Sequence, residues 1–167
     1  MFDPAKTKAR DIMQRDVVQL HTDASIKSAI ETFEEYSISG APVVNEAGEL
    51  VGVLSDSDIV KTEHLENEEL KLKRTEYYFA NPLEELDEPY FSTEEYSPEV
   101  LGEETVGEWM TPHVISVAPE ASLSDVCTLM TQERIHRVFV VKEKKLLGVI
   151  STLDIVKCLA TPEKIRS

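Results

Sequence analysis

The sequence predicts a mixed α/β (α+β) protein made of two tandem β-α-β-β-α units. Three observations carry this reading. The stretch "GVLSDSDIVK" at residues 52–61 returns as "GVISTLDIVK" at 148–157, with Gly, Ser and Asp at one spacing. Residues from Asp11 onward lie over residues from Glu108 onward at an offset of 97, which becomes 96 after a one-residue deletion in a turn. Within each copy, helical and strand-like apolar spacings follow in the same order. A unit of roughly 50 residues would be marginal alone, so the two should pack face to face.

Each copy opens with a short strand, Val17–Leu20 or Val114–Val117. A helix follows, Ile26–Tyr36 or Leu123–Glu133, with apolar residues near helical spacing: Ile26, Ala29, Ile30 and Phe33, or Leu123, Val126, Cys127 and Met130. Ser25 and Ser122 stand just before these helices, where a hydroxyl can cap the first free amides. An apolar strand comes next, Ala41–Val44 or Val138–Val141. A polar turn then leads to a second strand, Leu50–Leu54 or Leu146–Ile150, closing a hairpin. A last helix begins at Ser55 or Ser151. The first repeat is expected over residues 1–61 and the second over 105–167, with an acidic helix and loop insertion, 62–104, between them.

That insertion holds 14 acidic and 3 basic residues, a net of −11 within a total of −15. Its first half could extend a helix to about Arg74, and its second half, with three prolines, reads as an irregular loop. It is either a solvated acidic linker or a docking arm whose Tyr77, Tyr78, Phe79, Tyr90, Phe91 and Tyr96 anchor a partner. The overall acidity excludes nucleic acid as a partner, because no basic stripe is available to neutralise phosphates. It also disfavours an anionic membrane surface. No apolar run reaches the roughly 20 residues of a membrane span, and the N-terminus lacks the apolar core of a secretory signal. Cys127 and Cys158 form no C-x-x-C pair and read as small core residues. A cytoplasmic, reducing setting is expected.

The repeated G-x-x-S-x-x-D has a local explanation. Ser at a helix N-cap and an acid three residues later form a capping box, worth about 1 kcal/mol. Yet a strand that ends where a helix begins also leaves amides facing a crevice, a natural anion site. There a hydroxyl can bond a phosphate oxygen, and a carboxylate one turn on can accept both hydroxyls of a ribose. Local physics leaves capping and ligand binding equally open; the repetition together with its neighbours favours a ligand.

Those neighbours resemble the CBS domain family, units of roughly 60 residues that occur in tandem as Bateman modules. The resemblance rests on the "DIM" and "EWMTP" leads, the "GAPVV" strand and the two "GV-[LI]-S-x-x-D-I-V-K" junctions. It implies two repeats packed sheet to sheet with pseudo-two-fold symmetry, clefts for adenosine nucleotides or S-adenosylmethionine, and pairing of two copies into a homodimer.

The resemblance also implies which residues line each cleft. The first would use Val149, Ser151 and Asp154 with Met13, Asp16, Val18, Ile38 and Ser39. His136 and Arg137 would stand beside the phosphates, in a segment, "IHRVFVV", similar to that of the gamma subunit of AMP-activated protein kinase. The second would use Val53, Ser55 and Asp58 with Met110, His113, Ile115 and Ile135. Repeat one offers Ser39 and Gly40 where repeat two offers His136 and Arg137, so the second cleft should be weaker or empty.

The implied function is a stand-alone regulatory module that binds AMP, ADP or ATP and signals to a separate target protein by conformational change. A ligand-free dimerisation scaffold and an S-adenosylmethionine sensor are the alternatives. No catalytic residue, required cofactor or metal is expected: the sequence shows no nucleophile–base spacing or Gly-rich phosphate loop, and His21, His64, His113 and His136 are dispersed.

Overall fold

The computed structural model describes residues 3–60 and 103–160. The insertion 62–104, with its helix and its six aromatic residues, lies outside the described residues except for Glu103 and Glu104. The described chain divides into two compact units, one of residues up to Val17 and from Ile115, the other Val18–Val114. These units do not follow the two sequence copies. Each combines the hairpin of one repeat with the opening segment of the other.

In the Val18–Val114 unit, β1 (Leu20–His21) leads to α2 (Ile26–Tyr36), then β2 (Gly40–Val44), β3 (Leu50–Ser55) and α3 (Asp56–Val60). Ser25 starts α2 by accepting the Ser28 amide, as expected of a hydroxyl N-cap. Ser37, in the left-handed region at φ 50°, ends it. The sheet order is β1-β2-β3, with β1 parallel to β2 and β2 antiparallel to β3. Ile26, Ala29, Ile30 and Phe33 bury their stripe of α2 against Leu20, Ala41, Val43, Leu54 and Ile59. Each buried Ile, Leu, Val or Phe among them contributes about 1.5–3 kcal/mol, and the alanines less.

A further short helix, α4 (Val106–Trp109), belongs to this unit although its sequence belongs to repeat two. Val106 is part of the same core, and Trp109 and Met110 pack on it. Thr111 then pairs with Val53 through reciprocal backbone bonds of 2.8 and 2.9 Å.

The other unit repeats the plan. α1 (Ala9–Ile12) comes from the N-terminal lead, and β4 (Ser116–Val117), α5 (Leu123–Glu133), β5 (Arg137–Lys142), β6 (Lys145–Ser151) and α6 (Thr152–Ala160) from repeat two. The sheet order is β4-β5-β6. Ser122 and Asp125 form a reciprocal capping box at the start of α5. Ala9, Ile12, Met13, Leu123, Val126, Met130, Val138, Phe139, Val140 and Ile150 are buried. Here Gln14, from the lead, pairs with Val149 by bonds of 2.8 and 3.0 Å.

The one-residue deletion falls in the β-hairpin turn. Repeat one closes it with Gly48 at φ 70°, whereas repeat two uses Glu143 and Lys144 at φ 50° and 64°. The opening strands, expected over Val17–Leu20 and Val114–Val117, are two residues each, Leu20–His21 (shifted to include His21) and Ser116–Val117, because only those residues find a parallel partner in the central strand. The lead helices α1 and α4 have no counterpart in the sequence reading. Lys8–Asp11 and Thr105–Glu108 cap them, and the second pair is a T-x-x-E signal legible in the sequence.

Candidate functional site

Each junction is a strand end, a serine and an aspartate one turn into the next helix. In the unit that holds repeat two's sheet, the Ser151 amide and hydroxyl donate to Asp154 Oδ2 at 2.8 and 2.7 Å. In the other unit, the Ser55 amide and hydroxyl donate to Asp58 Oδ2 at the same distances. The expected reciprocal box is complete at Ser151–Asp154, where the Asp154 amide donates back to Ser151 Oγ at 3.3 Å; at Ser55–Asp58 the aspartate caps the serine amide.

The second carboxylate oxygen is held from the lead. Gln14 Nε2 donates to Asp154 Oδ1 at 2.9 Å, and Thr111 Oγ1 to Asp58 Oδ1 at 3.2 Å. Gln14 and Thr111 occupy equivalent positions, each following a lead methionine. The sequence reading named neither. Their signal was present as polar residues beside Met13 and Met110, but nothing local says that a lead reaches the junction of the other repeat.

The lead also explains the invariant spacing of the glycine. A Cβ at Gly148 would stand 2.5 Å from the Gln14 carbonyl oxygen and 2.9 Å from Met13 Sδ. A Cβ at Gly52 would stand 2.6 Å from Met110 Sδ and 2.8 Å from the Thr111 carbonyl oxygen. Backbone crosses backbone there, and only hydrogen fits.

The two junctions differ across the hairpin. Arg137 is opposite Ser151 in the antiparallel register, while Gly40 is opposite Ser55. Directly opposed residues present their side chains on one face of the sheet. A guanidinium thus shares the face of Ser151, and the equivalent place in repeat one has no side chain. Arg137 is 2% exposed, Asp154 8% and Asp58 2%. Charged groups held so deep are stable only among polar partners.

The amides expected to serve an anion have acceptors within the chain. Thr152 N donates to the His136 carbonyl at 2.9 Å, Asp154 N to Ser151 Oγ at 3.3 Å, and Asp56 N to the Ser39 carbonyl at 3.0 Å. These amides are therefore already engaged within the chain, contrary to the expectation that they face a crevice free for an anion.

Of the residues expected in the first cleft, Met13, Asp16, His136, Arg137, Val149, Ser151 and Asp154 belong to one unit, and Val18, Ile38 and Ser39 to the other. Of the second set, Val53, Ser55, Asp58, Met110 and His113 share a unit, while Ile115 and Ile135 do not. Asp16 and His113 are exposed. His136 and Arg137 have different surroundings. His136 is exposed and lies with Thr152 on an open groove of about 410 Å³ that Cys127, Met130 and Ile155 also line; Arg137 is buried.

Titration behaviour follows local bonding. The Thr105 amide and then its hydroxyl hold Glu108 below the ordinary carboxylate range. The Ser122 hydroxyl and then its amide do the same to Asp125, with a smaller contribution from Lys8. Burial pushes both thiols up, and Cys127 pushes Cys158 further. Among the described residues, no three His, Cys, Asp or Glu are grouped to hold a metal, and no helix is long and apolar enough to cross a membrane.

Known proteins resemble this chain in sequence and in fold. An uncharacterized protein of Methanocaldococcus jannaschii, MJ1426, is 33% identical over 156 residues, covering 90% of this chain and 89% of its own. The human 5'-AMP-activated protein kinase subunit gamma-3 is 29% identical over 146 residues, 87% of this chain and 25% of that subunit, so the chain spans about a quarter of it. The crystal structure of CBSX2 in complex with AMP superposes with a TM-score of 0.64 at 23% identity, over 94% of this chain and 98% of that one. The CBS domain description matches residues 9–64 and 106–161. With a duplicated fold, both junctions and two such matches in place, the chain belongs to the CBS domain family and carries the domain twice.

Proposed function

We propose that this chain is a regulatory CBS pair that binds an adenosine nucleotide at the β6–α6 junction and passes its occupancy to a separate partner. The observation that carries the proposal is the register of Arg137 opposite Ser151, with Asp154 one turn on. It supplies a fixed cation for phosphate and a carboxylate for a vicinal diol on one short stretch of structure. The AMP complex of CBSX2 and the AMP-linked name of the kinase subunit support the same ligand class. The Asp58 junction, with Gly40 opposite Ser55, lacks the cation at that place and is the weaker site. A conformational response needs only a ligand with different affinities for two states. The chain is read as a non-catalytic module in a reducing, cytoplasmic setting, with two copies pairing; Val156 and Leu159 of α6 offer exposed apolar surface for this.

A thermal-shift panel of AMP, ADP, ATP and S-adenosylmethionine on wild type, Asp154→Ala and Arg137→Ala tests the proposal. A nucleotide at a hundred times its dissociation constant should add about 2.7 kcal/mol to wild type and much less to either variant. If no adenosine compound moves the wild-type midpoint, the chain is a ligand-free scaffold. If only S-adenosylmethionine does, the ligand is that compound instead. Equal shifts in both variants would move the site elsewhere.

A further inference from the structure

We propose that Gln14 is a specificity-determining residue of the same site, the group that reads the second hydroxyl of the ligand's ribose. This rests on the nucleotide reading above and extends it to a residue outside the Ser-x-x-Asp junction.

A carboxylate offers about four lone-pair positions. On Asp154, Oδ2 takes two donors from Ser151 and Oδ1 takes one from Gln14. One acceptor position is left, on Oδ1, so Asp154 can receive one hydroxyl of a vicinal diol and no more. The other hydroxyl needs a different acceptor close by.

Gln14 provides it. An ionised carboxylate only accepts, so the amide nitrogen must face Asp154 and the amide oxygen must point away from that bond. Gln14 is exposed, and no hydrogen bond is made by its Oε1 among the described residues. The planar amide puts Oε1 about 2.3 Å from Nε2, by ordinary amide geometry. Asp154 Oδ1 and Gln14 Oε1 thus form a pair of adjacent acceptors, matched to two adjacent hydroxyls.

The backbone keeps this pair in register. Gln14 N and O both bond Val149, three residues before Thr152 begins α6. The close crossing at Gly148 fixes the lead at that height. Removing the Gln14 side chain therefore leaves the strand pairing intact.

The other unit supplies an internal control. Thr111 reaches Asp58 from the equivalent position with a hydroxyl, which shows that a threonine on this backbone spans the distance. Gln14→Thr should keep the bond to Asp154 and present a hydroxyl oxygen near the place of the lost amide oxygen.

Calorimetric titration with AMP, 2'-deoxy-AMP, 3'-deoxy-AMP and adenosine, on wild type, Gln14→Ala and Gln14→Thr, tests the assignment. Wild type should bind both deoxy analogues at least about tenfold more weakly than AMP, the loss of one hydrogen bond to a fixed polar group. In Gln14→Ala the penalty for one analogue should shrink to within about twofold, while the penalty for the other, whose missing hydroxyl is the one Asp154 receives, persists. The ratio of AMP to adenosine affinity should not change. Gln14→Thr should restore part of the lost penalty. A merely structural role for Gln14 would weaken all four ligands together and overturn the assignment, as would Gln14→Ala keeping both penalties. If wild type binds none of the four, the nucleotide reading itself fails and this inference falls with it; if wild type binds AMP and Asp154→Ala does not, that reading stands whatever Gln14 does.

Discussion

Gly148 passes so close to Gln14 that a single added carbon would stand 2.5 Å from the Gln14 carbonyl oxygen. The lead and the hairpin of the other repeat are thereby locked at one height. Gly148→Ala should lower stability by about 1–3 kcal/mol, the usual cost of overpacking where backbone must give way. Gly107→Ala is the contrast: its Cβ would meet the Thr22 carbonyl oxygen at 3.0 Å, and the alanine gains helix propensity within α4. It should stay within about 1 kcal/mol of wild type. Paired urea unfolding curves check both.

Arg137 should act on the phosphate and not on the nucleoside. Arg137→Met keeps an unbranched apolar stem as far as the position of Nε and removes the charged guanidinium head. AMP affinity should fall about 10- to 100-fold, the worth of a charge-assisted hydrogen bond, while adenosine affinity stays level. Arg137→Lys should recover only part, because an ammonium lacks the forked geometry. Equal losses for AMP and adenosine would remove the phosphate role.

Acid should loosen the starts of α4 and α5. Glu108 and Asp125 are held below the ordinary carboxylate range by the Thr105 and Ser122 donors. A depressed folded-state pKa stabilises the protein above the unfolded carboxylate range, near pH 4 to 4.5, and that stability is lost as pH falls through the folded value. Glu108→Gln and Asp125→Asn should therefore melt lower than wild type at pH 7, with the gap closing towards about pH 3. A melting series across that range reads the sign directly.

The shortened hairpin leaves a stability gain within reach. Glu143 sits at φ 50°, where a side chain other than Asn, Asp or Gly costs about 1–2 kcal/mol. Glu143→Asn should recover part of this and raise the melting midpoint by about 2–4 °C. An unchanged or lower midpoint would mean that the turn tolerates glutamate without strain.

Much of this protein was legible from residues alone. The boundaries of α2 and α5 coincide with their apolar stripes, Ile26 to Tyr36 and Leu123 to Glu133, because helix period and capping serine are both local properties. The capping role of Ser55–Asp58 and Ser151–Asp154 was equally readable, since its partners lie three residues apart. The β-hairpins followed from apolar strands around a polar turn. The short helices α1 and α4 were harder, since four residues cannot establish a period.

The tertiary structure decided who holds whom. Gln14 and Asp154 are 140 residues apart in sequence, and no spacing rule joins a lead in one copy to a junction in the other. The glycine of the repeated motif likewise owes its place to Met13 and Met110 rather than to its own turn. Chain-local forces set each element, but long-range packing chose which copy completes which sheet. The arginine across only one hairpin was already written in the sequence, as Arg137 in repeat two against Gly40 in repeat one; the packing converts two serine-capped helix starts into carboxylates gripped from two sides.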